Sequence, residues 1–542
     1  MFICGKFQSM NYRGIVLFIL LTIVVGCARR GRPEGGPEDF DKPIMVKADP
    51  EFESLHFSDD EIKIYFDEFI KLKDVNTQLI VSPPLKYPIV ITPLGTPSKR
   101  ITIILTDTLQ ENTTYTFNFG QSIIDNTRGN ILDNFKYVIS TGDYIDSLQV
   151  IGTFKDAFEL ETDKVPTVML YEVNEGFNDS IIYKEKPMYV GAVLDSVNWD
   201  ITNIRAGKYL LIALNDVSKN YKFNPKEDQI SFYSKYIDVP TDSNATYELL
   251  LFNEILPFRT SSRPEEVSKG HIMFPFEGDP IDFKIEAISE TSNEFKSLSI
   301  FDKESDTLHY WFNNYEQDSI LFYMYKKEVY DTVKVRLRSK EIDSLRLSSL
   351  TRGTLDLRDT FKIKSNAPIS IIDTSKIVFI NKDSVKVSYD VILSPYMDEI
   401  AFNFEKEYDN KYQMELLPGA ITDFYNIIND TLHVGFSTKR PSNYAYIKLT
   451  LNNIKSYPVI VHLISDRGIL VANDYLVEPR EIIFENLVPS RFMVRIIYDT
   501  NENKKWDTGN FLQRLQAEEV YYYKDIINAK ANWEVIQPLP VD

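Results

Sequence analysis

The sequence predicts an all-β protein, a string of β-sandwich modules. Three observations predict it. Apolar and polar residues alternate over short runs, as at Ile62, Ile64 and Phe66 or at Tyr115, Phe117 and Phe119, which is the period of a strand with one buried face. Turn-forming clusters separate the runs: Ser82-Pro83-Pro84, Pro93-Leu94-Gly95, Asp125-Asn126 and Gly129-Asn130. Finally, one stretch returns. Asn203, Tyr209, Asp216, Asn220, Lys222, Phe223 and Asn224 recur 283 positions later as Asn486, Phe492, Asp499, Asn503, Lys505, Trp506 and Asp507. Identities at matching offsets, with substitutions that keep chemical character, mark a repeated module.

The N-terminus has its own chemistry. Lys6 and Arg13 precede an apolar run from Ile15 to Val25, and Gly26 and Cys27 close it. A basic region, a short apolar core and a small residue at the end form an export signal, and eleven apolar residues are too few to span a bilayer comfortably. Met10 to Cys27 is already a complete signal, so either Met1 or Met10 can begin it. Val24-Val25-Gly26-Cys27 resembles the lipobox of bacterial lipoproteins. That resemblance implies cleavage after residue 26 and a diacylglycerol thioether on Cys27, with palmitate-type acyl chains holding the protein to a membrane. Two chains anchor firmly where one is marginal. Residues 27–42 then form a lipidated tether, rich in Gly, Pro and charge and without apolar periodicity. In Bacteroidetes-type lipoproteins, acidic residues directly after the cysteine send the protein to the cell surface. Arg29 and Arg30 stand there instead, which by the same resemblance implies an outer-membrane lipoprotein facing the periplasm.

The formal charge of the chain is −19, and residues 1–26 carry two cations and no acid, so the mature chain stands at −21. Such a protein is poorly suited to nucleic acid, whose phosphates call for clustered Lys and Arg. Cys4 leaves with the signal and Cys27 is the acylation site, so no thiol remains for an internal disulfide. The modules must hold together through their cores, and the mature length allows roughly three to five of them.

Residues 43–145 read as a first sandwich. Ile62-Lys63-Ile64-Tyr65-Phe66-Asp67-Glu68-Phe69-Ile70, then Asn112-Thr113-Thr114-Tyr115-Thr116-Phe117, then Ile124-Asp125 and Gly129-Asn130 resemble the bacterial Ig-like domain of SbsA type. The family is a structural and adhesive module without catalytic residues. Residues 148–255 follow, where Trp199 to Ile204 and Gly207 to Leu214 are similar to the transthyretin-like, carboxypeptidase-regulatory type of sandwich. Residues 256–365 are expected to be a β module of no assigned family. Tyr310-Trp311-Phe312 and Ile320 to Tyr325 are strand-like, and Lys326-Lys327-Glu328 turns the second run into the Val333, Val335, Leu337 alternation. Residues 366–445 return faintly to the first pattern, at Val385 to Tyr389 and Ile421-Thr422-Asp423, and are expected to be a second Ig-like domain. The echo makes residues 446–542 a second transthyretin-like unit.

Few residues ask for a chemical role. Asp499, Asn501, Asn503 and Asp507 set oxygen side chains at alternate positions, as a calcium loop does. Lys504 stands where such a loop needs glycine, however, and Asn510 where it needs a bidentate Glu. The first copy, with Asp216, Ser218, Asn220 and Asn224, has less charge still. Asp and Asn also fix turns by accepting from their own backbone, and a structural hairpin is the expected reading for both loops. Asp67 and Glu68 read as an acid pair in sequence, but adjacent strand residues face opposite ways, which argues against that role. His56, His271, His309, His433 and His462 are scattered without metal spacing, and no nucleophile, zinc or phosphate-loop motif is present. Metal, cofactor and catalytic residues are therefore not expected. The reading is a non-enzymatic envelope lipoprotein, a scaffold or binding module whose partner is an envelope protein or polysaccharide. The alternative is a surface carbohydrate-binding or carbohydrate-processing lipoprotein, because the 32 tyrosines and 34 phenylalanines suit glycan-binding faces as well as cores.

Overall fold

The structure is a computed structural model that describes residues 38–161, 164–193, 197–240, 245–260, 263–289, 291–303, 305–326, 329–338 and 341–541. Cys27, the expected signal and most of the expected tether lie outside the described residues. The chain divides into two compact units. One comprises residues up to Leu79, Lys86–Thr113 and Phe117–Asp143; the other comprises Ile80–Leu85, Thr114–Thr116 and everything from Tyr144 onward.

In the first unit, Glu61–Leu72 is the central strand of a sheet ordered Met45–Asp49, Glu61–Leu72, Ser98–Ile104, Val90–Thr92, with Ile123–Asp125 paired to its far end. Ile62, Ile64, Phe66 and Ile70 point inward and are buried, and Ile62 and Ile64 lie opposite Ile103 and Ile101. Fully burying each such side chain contributes roughly 1.5–3 kcal/mol, which is why the alternation fixes the face. Asp67 is exposed and Glu68 half-buried, on opposite sides of the strand. Burial raises the Glu68 carboxyl above its usual range, and Asp125 adds to the shift.

The second unit holds four sets of sheets. The second region begins with Leu148–Asp156, which pairs antiparallel with Asn198–Ile204 and parallel with Thr246–Leu251. Thr167–Glu172 lies between Tyr189–Val193 and Gly207–Asn215, the latter also carries Gln229–Phe232 and Ile237–Val239, and Tyr189–Val193 pairs in turn with Asn198–Ile204 to join all eight strands in one sheet. The third region has a sheet built on His271–Glu277 and Thr307–Asn313, and a smaller one of Lys284–Ala287, Ser319–Lys326 and Val329–Arg336. Ile272, Phe274, Phe276, Tyr310, Phe312, Ile320 and Phe322 form the core between them.

The fourth region repeats the strand order of the first unit. Leu347–Ser349, Phe361–Ser365, Glu399–Asn403 and Asp390–Leu393 form one sheet, and Ile369–Ile372 pairs with Ile421–Asp423 as the end of Glu61–Leu72 pairs with Ile123–Asp125. Here the expected boundary moves. Leu347 pairs with Ser365 and Phe361 with Phe402, so residues from 347 on belong to the fourth module, not to a third module reaching 365. The run Phe361-Lys362-Ile363 alternates clearly, but alternation does not say which sheet a strand will join. Asp125 and Asp423 close matching loops. Asp125 accepts four backbone N–H groups, from Thr127, Arg128, Gly129 and Asn130; burial alone would raise its carboxyl, but these bonds hold it below the usual range. Asp423 accepts only two, from Tyr425 and Ile427, and burial wins, raising it.

The last region, from Ala445–Asn452 to Glu534–Pro540, reproduces the second strand for strand. Ala445–Asn452 pairs antiparallel with Glu481–Leu487 and parallel with Glu534–Pro540. Val459–Ser465 lies between Leu470–Leu476 and Ser490–Tyr498, and the latter carries Val520–Tyr522 and Ile527–Ala529. This last region packs against the second, with Phe511 and Ala517 in its core.

Candidate functional site

The two echoed loops have one hydrogen-bond plan. Asp499 is buried, its Oδ1 accepting from the Asn503 N–H at 3.1 Å and its Oδ2 from the Lys504 N–H at 2.8 Å. In the first copy Asp216 accepts from Asn220 at 3.2 Å and Tyr221 at 2.6 Å. A second carboxylate closes each loop. Glu518 accepts from the N–H groups of Thr500 and Asp507 at 2.7 and 3.1 Å, and Asp228 accepts from those of Val217 and Asn224 at 3.0 and 2.8 Å. Left-handed backbone falls at equivalent places: Asn203 and Asn486, Lys219 and Glu502, Tyr221 and Lys504.

The calcium-ligand candidates are thus turned onto their own loop. Asp507 Oδ2 accepts from the side-chain amides of Asn501 and Asn503, each at 2.6 Å. Among the described residues no group of three or more His, Cys, Asp or Glu is placed to hold a metal ion. Sequence reading did not find Asp228 and Glu518, because they stand at different distances from the echo: three residues separate Asn224 from Asp228, and ten separate Asp507 from Glu518.

Those extra seven residues do something the first copy cannot. Phe511 is fully buried among Phe232, Phe252 and Ile230 of the second module, its ring 5.3 Å from that of Phe232 and nearly perpendicular to it. Its N–H donates to Glu254 Oε1 at 2.6 Å, and Gln516 donates to the Phe232 carbonyl at 2.8 Å. Arg514 forks onto Asp179, Nε to Oδ2 at 2.9 Å and Nη2 to Oδ1 at 2.5 Å, with its guanidinium 5.1 Å from the centres of both the Tyr236 and Phe511 rings. Gly509 sits so close to Phe252 that a Cβ there would come within 2.5 Å of the ring. Beside this insertion, Arg495 lies over the Phe158 ring at 3.8 Å and Tyr522 donates to the Phe158 carbonyl at 2.8 Å. Aromatic anchors around a half-buried bidentate ion pair are what gives a docking surface its energy.

The histidines are less scattered in space than in sequence. His271 and His309 lie on neighbouring strands, Nε2 and Nδ1 2.9 Å apart, and His271 stacks on Trp311 with ring centres 3.6 Å apart. Burial, then the neighbouring His309, pushes the His271 imidazole down to about 3, and burial lowers His309 as well. Both rings border a cleft of about 600 Å³ between the third and fourth modules, with Tyr396, Lys362 and Asp398 on its far side. Lys362 is paired with Glu399 at 3.1 Å. His462 accepts from Arg495 at 3.0 Å, and burial followed by that cation pushes it down to about 4. No spacing along the chain measures such cross-strand contacts, so sequence reasoning had no signal for them.

A family model for the bacterial Ig-like domain matches residues 39–141. No curated protein matches the chain. Among solved structures the chain is similar to the S-layer protein rSbsC, at 12% identity and a TM-score of 0.15, over 91% of this chain and 68% of that one. It is also similar to BcpA, the major pilin subunit of Bacillus cereus, at 13% identity and a TM-score of 0.14, over 72% and 99%. The Bacillus anthracis TIE protein matches at 10% identity and a TM-score of 0.13, over 99% and 80%.

Proposed function

We propose that this chain is a non-enzymatic envelope lipoprotein, a structural scaffold or binding module carried on the periplasmic face of the outer membrane by acyl chains on Cys27. The observation behind the reading is the order of its parts. Val24-Val25-Gly26-Cys27 is followed by a Gly- and Pro-rich tether and then directly by the bacterial Ig-like match at 39–141. An acidic chain gains nothing from anionic headgroups, so the diacylglycerol carries the attachment. The partner is a component of the envelope, protein or polysaccharide. Cys27→Ser tests the anchor. The substituted protein is expected to lose fatty-acid labelling and to leave the membrane fraction for the soluble one; a protein that still labels and sediments with membranes refutes it.

A further inference from the structure

The smaller sheet of the third module has an unusual outer face. Ile320, Phe322 and Met324 of Ser319–Lys326 point into the core, which sends Leu321, Tyr323 and Tyr325 outward. On one side, register sets Lys284 opposite Tyr325 and Glu286 opposite Tyr323. On the other side, Tyr330 lies opposite Tyr325, Thr332 opposite Tyr323 and Lys334 opposite Leu321. The three tyrosine rings form a continuous strip. Tyr323 and Tyr325 have centroids 5.3 Å apart with planes 31° apart, and Tyr323 and Tyr330 are separated by 6.5 Å and 30°. The Tyr325 hydroxyl donates to Glu286 Oε1 at 2.9 Å.

Cross-strand aromatic pairing stabilises a sheet, and Tyr323 and Tyr325 are half-covered in this way. Tyr330 is not explained by it, because 72% of that residue remains exposed. The charge of the face is also out of character. Among the described residues, Lys284, Lys334 and Arg336 share it with one carboxylate, Glu286, a local excess of cations on a chain of net charge −19. A protein partner would have to bring both an apolar surface for the rings and carboxylates for the cations to the same place. A sugar chain fits the combination better. The C–H face of a pyranose lies flat on an aromatic ring and gains dispersion contact, while its hydroxyls, at the rim, remain within reach of Tyr, Thr332 and Glu286. Acidic sugars add carboxylates for the lysines and arginine.

We propose that the face formed by Tyr323, Tyr325 and Tyr330, with Lys284 and Lys334, binds an acidic polysaccharide of uronate type. The proposal rests on the binding half of the reading above and names its partner. The test is affinity electrophoresis of the full chain in gels containing polygalacturonate, with a neutral β-glucan gel alongside. The unsubstituted chain is expected to be retarded by polygalacturonate, less so as salt rises. Tyr330→Ala is expected to weaken binding at least tenfold, Tyr330→Trp to keep it, and Lys334→Ser to weaken it several-fold while flattening the salt dependence. Thermal melts check that each variant is folded, and with a residue so exposed no change is expected. No retardation, or equal retardation of folded Tyr330→Ala, overturns the proposal. Retardation of equal strength by the neutral glucan overturns its acidic part. The anchor is tested separately by Cys27→Ser fractionation, so the two readings fail independently.

Discussion

The second and fifth modules have the same eight strands, the same two-carboxylate loop and the same pairings except that of Tyr189–Val193 with Asn198–Ile204, made only in the second, yet their outer surfaces are built for different neighbours. In the second module the cross-strand pair on that surface is Met169 and Ile212, both fully buried. At the equivalent place in the fifth module stand His462 and Arg495, hydrogen-bonded to each other. The apolar pair belongs to a second core that also receives Phe511 and Ala517 from the fifth module. The polar pair meets the second module edge-on, through Arg495 over Phe158. One copy is a receptor and the other an insert. Three differences build this asymmetric interface: the cross-strand pair, seven extra loop residues in the fifth module, and in the second the longer connection 173–188 that carries Asp179, where the fifth has only 466–469.

Removing the insertion should have the largest effect. Replacing residues 508–517 by the three-residue Pro-Lys-Glu of 225–227 gives the fifth module the short loop of the second. Loss of one buried Phe from a core costs about 3–5 kcal/mol, and Phe511 is such a residue. Calorimetry of the full chain is expected to show the second module melting earlier while the fifth, whose own core holds no insertion residue, keeps its transition. Coincident melts before and after replacement would mean that the insertion lies on the surface without supporting it.

The polar pair gives a smaller, pH-dependent effect. His462 is pushed down to about 4 in the folded chain, against an ordinary value of 6.5. Between those values the unfolded chain binds the proton and the folded chain does not, so stability is complete above pH 6.5 and is lost as pH falls toward 4. Discounted for the partial exposure of the ring, the loss is roughly 2 kcal/mol. His462→Met, which copies Met169, should remove that part of the acid sensitivity. Denaturant melts at pH 7 and 4.5 measure it as a difference between the variants, so other histidines cancel. An unchanged difference would show that His462 does not titrate in this window.

The comparison also separates what a sequence states from what it leaves unsaid. The backbone bonding of Asp216 and Asp499 was legible, because the two sit at a fixed offset and Asp accepts from its own turn. The repeated strands were legible through the same offset, and the Ig-like core through the alternation of Ile62, Ile64 and Phe66. The third and fourth modules were divided at the wrong strand because Phe361–Ser365 alternates as well in one sheet as in another. Phe511 and Arg514 carried no signal at all. They sit in a stretch without period or counterpart, and their partners Phe232 and Asp179 are some 280 and 335 positions away. Tyr330 was one of many tyrosines until register placed it beside Tyr325. Local chemistry is written in the chain, whereas docking depends on two surfaces being brought together.

A double-mutant cycle on Asp179→Ala and Arg514→Ala in the full chain tests the seam between the two copies most directly. The readout is hydrogen-exchange protection of the Phe511 amide, which donates to Glu254 across the seam. Both partners of the ion pair keep about a quarter of their side-chain surface exposed, so the pair falls short of a fully buried one. The expected result is a protected Phe511 amide in the unsubstituted chain, weakened by either substitution, with a coupling of about 1–3 kcal/mol between them. An amide that exchanges freely from the start, or substitutions that add to within ~0.5 kcal/mol, would contradict the seam.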